Sequence, residues 1–320
     1  MEKNKPPPQW LGAFLCRHIK GMELSVKKFR VDKILSCFAG SKKVAVLGHY
    51  DACEAVIVLE QVAFDRNVEE IQALLDDSVG LTCDFANAEY NYCKLIPKNF
   101  KIKCDIICPA TAKHILKFSE SECRMIRETP EVYSSVVLPY VESHERGDRI
   151  AWVHNILDKK KEQDRILFED PDPVNGFVLL PDSKWELGGG GLQSTLYCLA
   201  IVNRRDLLSI RSLTGEHLAL LQNILEKGCE TIMERFKVPR EKLRIFFHYH
   251  PTFYHLHVHF CHLQFDNPVP DVQMLQTVIE NIQLVPNYYQ KVSLMVKVRT
   301  TLDIYSELCK AGVVQGTAEG

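Results

Sequence analysis

His255-Leu-His-Val-His259 places three imidazoles at alternate positions of one short segment. Imidazoles can bind a metal, move protons or attack phosphorus, and spacing helps to decide among these. The triplet lies in an apolar run, Phe253 to Leu263, rich in Val, Phe and Tyr, so the pattern predicts a strand with all three rings on one face. Alternate side chains on a strand sit ~6.5–7 Å apart, and a row of three therefore spans about the length of a diphosphate. The chain has 12 histidines in 320 residues, for which random placement gives roughly 0.02 alternating triplets, so chance is a poor explanation. Satisfied core histidines are a costly one, because each buried imidazole needs a hydrogen-bond partner where an apolar residue needs none.

Two chemistries compete for the triplet. In one, three neutral imidazoles ligate a metal, zinc foremost. In the other, His257 is a nucleophile toward phosphorus, while His255 and His259 hydrogen-bond and polarise the phosphate oxygens. An imidazole with a pKa near ~6.5 is largely neutral at cytosolic pH and therefore nucleophilic. Context favours the second. The preceding strand, Leu243 to His250, turns at Pro251-Thr252 and brings His248 or His250 to the same place, in a cluster poor in nearby carboxylates.

The triplet, followed by Phe260 and Cys261, resembles the His-x-His-x-His-x-x signature of the histidine triad superfamily, whose members cleave or transfer nucleotidyl groups through a phosphorylated central histidine. Four further stretches resemble the scavenger mRNA-decapping family within it: Arg127-Glu-Thr-Pro-Glu131, Trp152-Val-His-Asn-Ile-Leu-Asp-Lys-Lys160, Asn175-Gly-Phe-Val-Leu-Leu-Pro-Asp182 and Lys184-Trp185. That resemblance implies that His257 attacks the phosphate next to N7-methylguanosine, that His259 and His248 contact phosphates, and that His255 supports the triad. It also implies that Trp152 stacks on the base, that Glu162 reads the guanine edge, and that Asp182 and Lys184 contact the cap nucleoside and its phosphates. The implied activity is that of a metal-independent pyrophosphatase without cofactor, acting on cap dinucleotides and short capped RNA fragments and releasing N7-methylguanosine monophosphate. A homodimer with exchanged N-terminal elements that close over each site is implied as well. The alternatives are a generic dinucleoside-polyphosphate hydrolase and a cap-binding module without catalysis.

Each implied contact has a physical reason. N7 methylation makes guanine cationic, and an indole face attracts it by a cation–π term of ~0.5–2 kcal/mol. Guanine offers N1–H and an exocyclic amine as donors, both of which the Glu162 carboxylate can accept. Lys184 is a point charge suited to phosphate oxygens. Taken alone, Trp152 reads as core, Glu162 as a solvated face, and Asp182 after Pro181 as turn chemistry. One departure stands between Asp182 and Lys184, where the family commonly has an apolar residue covering the second face of the base and this chain has Ser183. The run Glu186-Leu-Gly-Gly-Gly-Gly-Leu192 lacks the Gly-Lys-Ser/Thr ending of a P-loop and reads as a flexible loop.

The elements that must position these residues follow an α+β pattern. Strands are expected over Lys27 to Phe38, Lys43 to His49 and Ala55 to Phe64, forming a smaller strand-rich N-terminal domain, 1–120, to which the resemblance assigns dimerisation and the part of a lid. A histidine-triad-like catalytic domain with antiparallel sheet and helices follows, 121–320. It opens with a helical hinge from Glu120 to Lys161, interrupted at Pro130, Pro139 and Gly147. Next come strands at Ile166 to Leu167, Phe177 to Leu180 and Leu196 to Val202, and a long helix that starts after Thr214 and runs to Phe236 with Leu218, Leu221, Leu225 and Ile232 on its core face. After the histidine hairpin the pattern gives a final helix, Val272 to Ile282, and a strand, Val292 to Arg299.

Composition narrows the partners. With 39 Lys and Arg against 41 Asp and Glu, the net charge is −2, and no basic track interleaved with aromatics marks a path for long RNA, so short capped substrates are expected. Twelve cysteines at irregular spacing predict reduced thiols and a cytoplasmic and nuclear location. The N-terminus, Met1-Glu-Lys-Asn-Lys-Pro-Pro-Pro8, carries no apolar signal segment and reads as a disordered arm, and no apolar run approaches ~20 residues, so no membrane is expected.

Overall fold

Apolar runs rich in β-branched residues, separated by short polar turns, set the first half of the chain. The computed structural model describes residues 26–38, 42–51, 53–62, 64, 67–87, 90–98, 101–144, 150–182, 185, 193–265 and 272–314. The chain divides into two compact units, Met1–Ser121 and Glu122–Gly320. In the first, β1 (Arg30–Phe38), β2 (Lys43–Tyr50) and β3 (Cys53–Gln61) pair antiparallel in succession. There follow α1 (Val68–Asp76), a separate ribbon of β4 (Ser78–Asn87) and β5 (Tyr90–Pro97), then β6 (Ile102–Ile107), which joins the sheet beside β3, and α2 (Ala112–Phe118). Both faces of β2 and β3 are covered, which explains their continuous Val-Ala-Val-Leu and Ala-Val-Ile-Val-Leu runs.

Cys83 and Cys93 lie directly opposite in the β4–β5 register and are joined as a disulfide. This corrects the expectation of reduced thiols throughout. Irregular spacing in the sequence hid a pairing that depends on hairpin register.

The second unit begins with a strand, not a helix. β7 (Cys123–Glu128) alternates buried Ile126 and Glu128 with more accessible neighbours and pairs with the distant β14 (Leu294–Arg299). A six-residue run carries too little periodicity to separate strand from helix, so the expected helical hinge starts late, at α3 (Pro130–Val132). Pro130 opens that helix rather than interrupting it, at a position where its missing N–H costs nothing. A π-helical stretch, Tyr133–Val137, then leads into α4 (Leu138–His144). Its closing bond runs from the Leu138 N–H to the Tyr133 carbonyl, and Pro139, which brings no N–H to the ladder, comes next. Gly147 lies outside the described residues.

After α5 (Ala151–Leu157), five further strands come in the order β8 (Phe168–Glu169), β9 (Phe177–Pro181), β10 (Tyr197–Val202), β11 (Leu243–His248) and β12 (His257–His262). With β13 (Val272–Met274) they form a six-stranded antiparallel sheet in the order β13-β11-β12-β10-β9-β8. The helix α6 (Leu218–Phe236) follows Thr214 through one tight turn and covers one face with Leu220, Leu221, Ile224, Leu225 and Ile232, against Cys198, Ala200, Val258 and Phe260. Gly228 permits this approach, since a Cβ there would come within 2.4 Å of the Phe260 ring. Against the other face, Val153 and Ile156 of α5 pack with Val178, Leu180, Leu199 and Ile201.

Other boundaries also move. The short strand expected at Ile166 to Leu167 lies two residues later, the strand from Leu243 stops at His248, and the triad strand begins at His257 rather than Phe253. Val272–Met274 extend the sheet, so the expected helix starts only at α7 (Leu275–Leu284). Two more helices, α8 (Tyr288–Lys291) and α9 (Asp303–Lys310), flank β14, the second presenting Ile304, Tyr305 and Leu308 to the core. The α+β class and the histidine-bearing antiparallel sheet stand as expected. Among the described residues no helix is long and apolar enough to cross a membrane.

Candidate active site

The start of β12 is fixed by main-chain bonds to its neighbours. Leu256 N–H donates to the Leu207 carbonyl at 2.8 Å, and Val202 N–H donates to the Leu256 carbonyl at 3.3 Å. His255 lies just outside the ladder, where its Nε2–H donates to the Val202 carbonyl at 2.8 Å. Its own carbonyl accepts the Nδ1–H of His257 at 2.7 Å. A carbonyl only accepts, so the proton of His257 is held on Nδ1 and the lone pair is left on Nε2. His257 is 5 % exposed. Burial, reinforced by His248 and His255 and opposed by the hydrogen bond to His255, lowers its pKa to about 4, which keeps the ring neutral and nucleophilic at neutral pH.

His259 lies two positions on, its ring 5.0 Å from that of His257 and 4.5 Å from that of His248 at the end of β11. Phe246 stacks on His259 at 5.2 Å and 15°. The Tyr197 hydroxyl is 3.0 Å from Nδ1 of His259, and burial raises the pKa of that hydroxyl, so it stays protonated. That hydroxyl can donate to Nδ1 or accept from it; when it donates, Nε2 carries the His259 proton and is a donor suited to an oxyanion.

Of the two histidines in the preceding segment, only His248 joins the triad. β11 ends there, and His250 turns away, its Nε2 3.0 Å from the Glu128 carboxylate and its Nδ1 2.5 Å from the Tyr254 hydroxyl. The same connection lays Phe253 flat on His257, with ring centroids 4.1 Å apart and planes at 14°. Trp152, 40 % exposed on α5, meets Phe253 edge-on at 4.9 Å. Val153 and Ile156 of the same helix are buried against the sheet, so Trp152 stands at the margin of that packed face with part of its indole accessible.

Glu162 adopts a left-handed backbone, φ 59°, and pairs with Arg165, whose second amino group donates to the Pro181 carbonyl at 3.0 Å. Next in the chain, Asp182 donates its N–H to the Tyr197 carbonyl at 2.9 Å. Arg165 thereby ties Glu162 to the segment that leads into Asp182 and toward Tyr197. Lys184, Ser183 and the glycine run fall outside the described residues. Among the described residues, no group of three His, Cys, Asp or Glu side chains is arranged to hold a metal ion.

Sequence comparison gives this geometry a family. The profile described as scavenger mRNA decapping enzyme N-terminal matches residues 24–121, and the one described as scavenger mRNA decapping enzyme C-term binding matches residues 151–275. The m7GpppX diphosphatase of Mus musculus is 41% identical over 302 residues, covering 91% of this chain and 87% of that protein. The Homo sapiens m7GpppX diphosphatase is 40% identical over 290 residues, 87% of this chain and 84% of its own, and that of Schizosaccharomyces pombe is 34% identical over 281 residues, 84% and 90%. The chain belongs to the scavenger mRNA decapping enzyme family.

Three features of this decapping-family site were not legible as functional. Tyr197 reads as one residue of an apolar strand, and only its register opposite Cys261 puts it beside His259. Phe253 is likewise one aromatic in an apolar run. Glu128 lies in the Arg127-Glu-Thr-Pro-Glu131 motif, which gave it no role. In the decapping fold it is a buried hub: its carboxylate accepts from Arg211 Nε at 2.9 Å and from the Tyr249 hydroxyl at 2.6 Å, besides meeting His250.

Proposed function

We propose that the protein is a metal-independent pyrophosphatase that hydrolyses the triphosphate bridge of N7-methylguanosine cap dinucleotides and short capped RNA fragments. The observation that carries this reading is the free Nε2 of a neutral His257, flanked by His248 and His259 and joined through Phe253 to an exposed indole. His257 Nε2 attacks the phosphorus next to the methylated nucleoside. The P–O bond to the nucleoside diphosphate breaks, and that leaving group takes the electron pair. Water then attacks the phosphorus carried on the ring and forms the new P–O bond. The Nε2–P bond breaks, its pair returns to the imidazole, the water proton passes to solvent, and N7-methylguanosine monophosphate is released. His248, His259 and Lys184 hold the phosphate oxygens in this scheme, His255 fixes the nucleophile, and Glu162 and Asp182 read the nucleoside.

Incubation with methylated cap dinucleotide in excess EDTA tests the reading. Full turnover is expected, because positioned imidazoles supply the charge stabilisation. Activity lost in EDTA and restored by zinc would return the triplet to metal chemistry.

An exposed indole favours the cap over a generic dinucleoside polyphosphate, since only the methylated base is cationic. Trp152→Ala is therefore expected to lower kcat/KM for methylated dinucleotide roughly 2- to 30-fold more than for its unmethylated counterpart. Equal losses on the two substrates would make Trp152 a packing residue. The protein is further proposed to act as a homodimer with exchanged N-terminal elements, in cytoplasm and nucleus. In support, the β4–β5 ribbon exposes Leu81, Phe85, Tyr92 and Ile96, an apolar surface suited to a second copy.

A further inference from the structure

Phe253 has no part in the scheme above, yet it is the ring that lies flat on the nucleophile. Its centroid is 4.1 Å from that of His257 with the planes at 14°, whereas His259 meets the same imidazole edge-on at 75°. Trp152 in turn braces Phe253 from the side at 78°. In the resting enzyme this is a stack between two neutral rings. The reaction changes that. When Nε2 bonds to phosphorus while Nδ1 keeps its proton on the His255 carbonyl, the imidazole acquires a full positive charge. Burial opposes positive charge at this position, as the depressed basicity of His257 records. The His255 carbonyl offsets part of that cost, and a benzene face at stacking distance offers its negative quadrupole to the rest. Such an attraction is weak in the ground state and grows with the charge, so it favours the transition state and intermediate over bound substrate.

Resting on the phosphohistidine reading, we propose that Phe253 is a positioning residue that stabilises the cationic, phosphorylated ring of His257 through its π face. A merely space-filling Phe253 would serve equally well with an electron-poor ring. The two roles separate on fluorination, which drains the π face with little change of volume.

The test replaces Phe253 in the full chain with mono-, di- and trifluorophenylalanine. It follows single-turnover cleavage of methylated cap dinucleotide labelled at the phosphate next to the methylated base, together with KM. The rate of the first step is expected to fall stepwise with each fluorine, by about tenfold across the series, with KM unchanged. Phe253→Leu is expected to be slow and Phe253→Trp to retain the rate. A flat fluorine series would overturn the proposal even if Phe253→Leu were slow, because that pattern is packing. Acid-labile label on the wild-type protein reports the underlying reading separately. Label with a flat series overturns the role of Phe253 alone, whereas no label overturns the phosphorylated ring and this inference with it.

Discussion

His257→Asn retains cap binding and loses turnover by roughly 10⁴-fold or more. Asparagine can hydrogen-bond a phosphate oxygen but cannot form the phosphoramidate. The His248, His259 and Trp152 contacts are untouched, so quenching of indole fluorescence by methylated dinucleotide should report near-normal affinity. Product formation close to the wild-type rate would place the nucleophile elsewhere. The variant has a pH signature as well. The folded pKa of His257 is about 4, below the ordinary ~6.5 of the unfolded chain, so between these values the unfolded state binds more protons. Its contribution to stability is present above ~6.5 and is lost as pH falls toward 4. His257→Asn removes that dependence, and urea unfolding of the two proteins at pH 5 and 7.5 measures it.

Glu128→Ala is expected to cost about 3–5 kcal/mol, lowering Tm by roughly 6–20 °C. Glu128 and Arg211 are only 1% and 2% exposed. Beyond the carboxylate, Arg211 donates to the Tyr289 and Val292 carbonyls, each at 2.7 Å, and to the Glu128 carbonyl at 3.0 Å. The alanine variant keeps those hydrogen bonds but strands the charge. Tyr249 and His250 lose their anchor with it, and both lie between His248 and Phe253, so turnover should fall by more than the unfolded fraction explains. A thermal midpoint within 2 °C of wild type would show that the pair contributes nothing. Burial by itself would raise the Glu128 pKa, but the hydrogen bond and charge of His250, the Tyr249 hydroxyl and Arg211 outweigh it and hold the carboxyl below its usual range. This stabilisation is present above the unfolded carboxyl pKa of ~4.3 and is lost as pH falls through the lower folded value.

The sequence by itself determined the row His255, His257, His259, the α+β class, the long helix ending at Phe236 and the family, because each is written in local periodicity or contiguous motif. His257 and His259 share a sheet face because a strand's period is two, whatever the strand pairs with. Tertiary structure decided what those residues do to one another. That His248 rather than His250 joins the triad depends on where β11 stops, and that Cys123–Glu128 is a strand depends on a partner beginning at Leu294. The contacts that tune the site join Tyr197 to His259, Glu128 to Arg211 and Tyr249 to Glu128 across 62, 83 and 121 residues of chain. Even Phe253, only four positions from His257, stacks on it because the chain turns back between them instead of running on as a strand. Spacing fixes which face a side chain takes within one element, while burial, tautomer and ring stacking arise only when separate elements pack together.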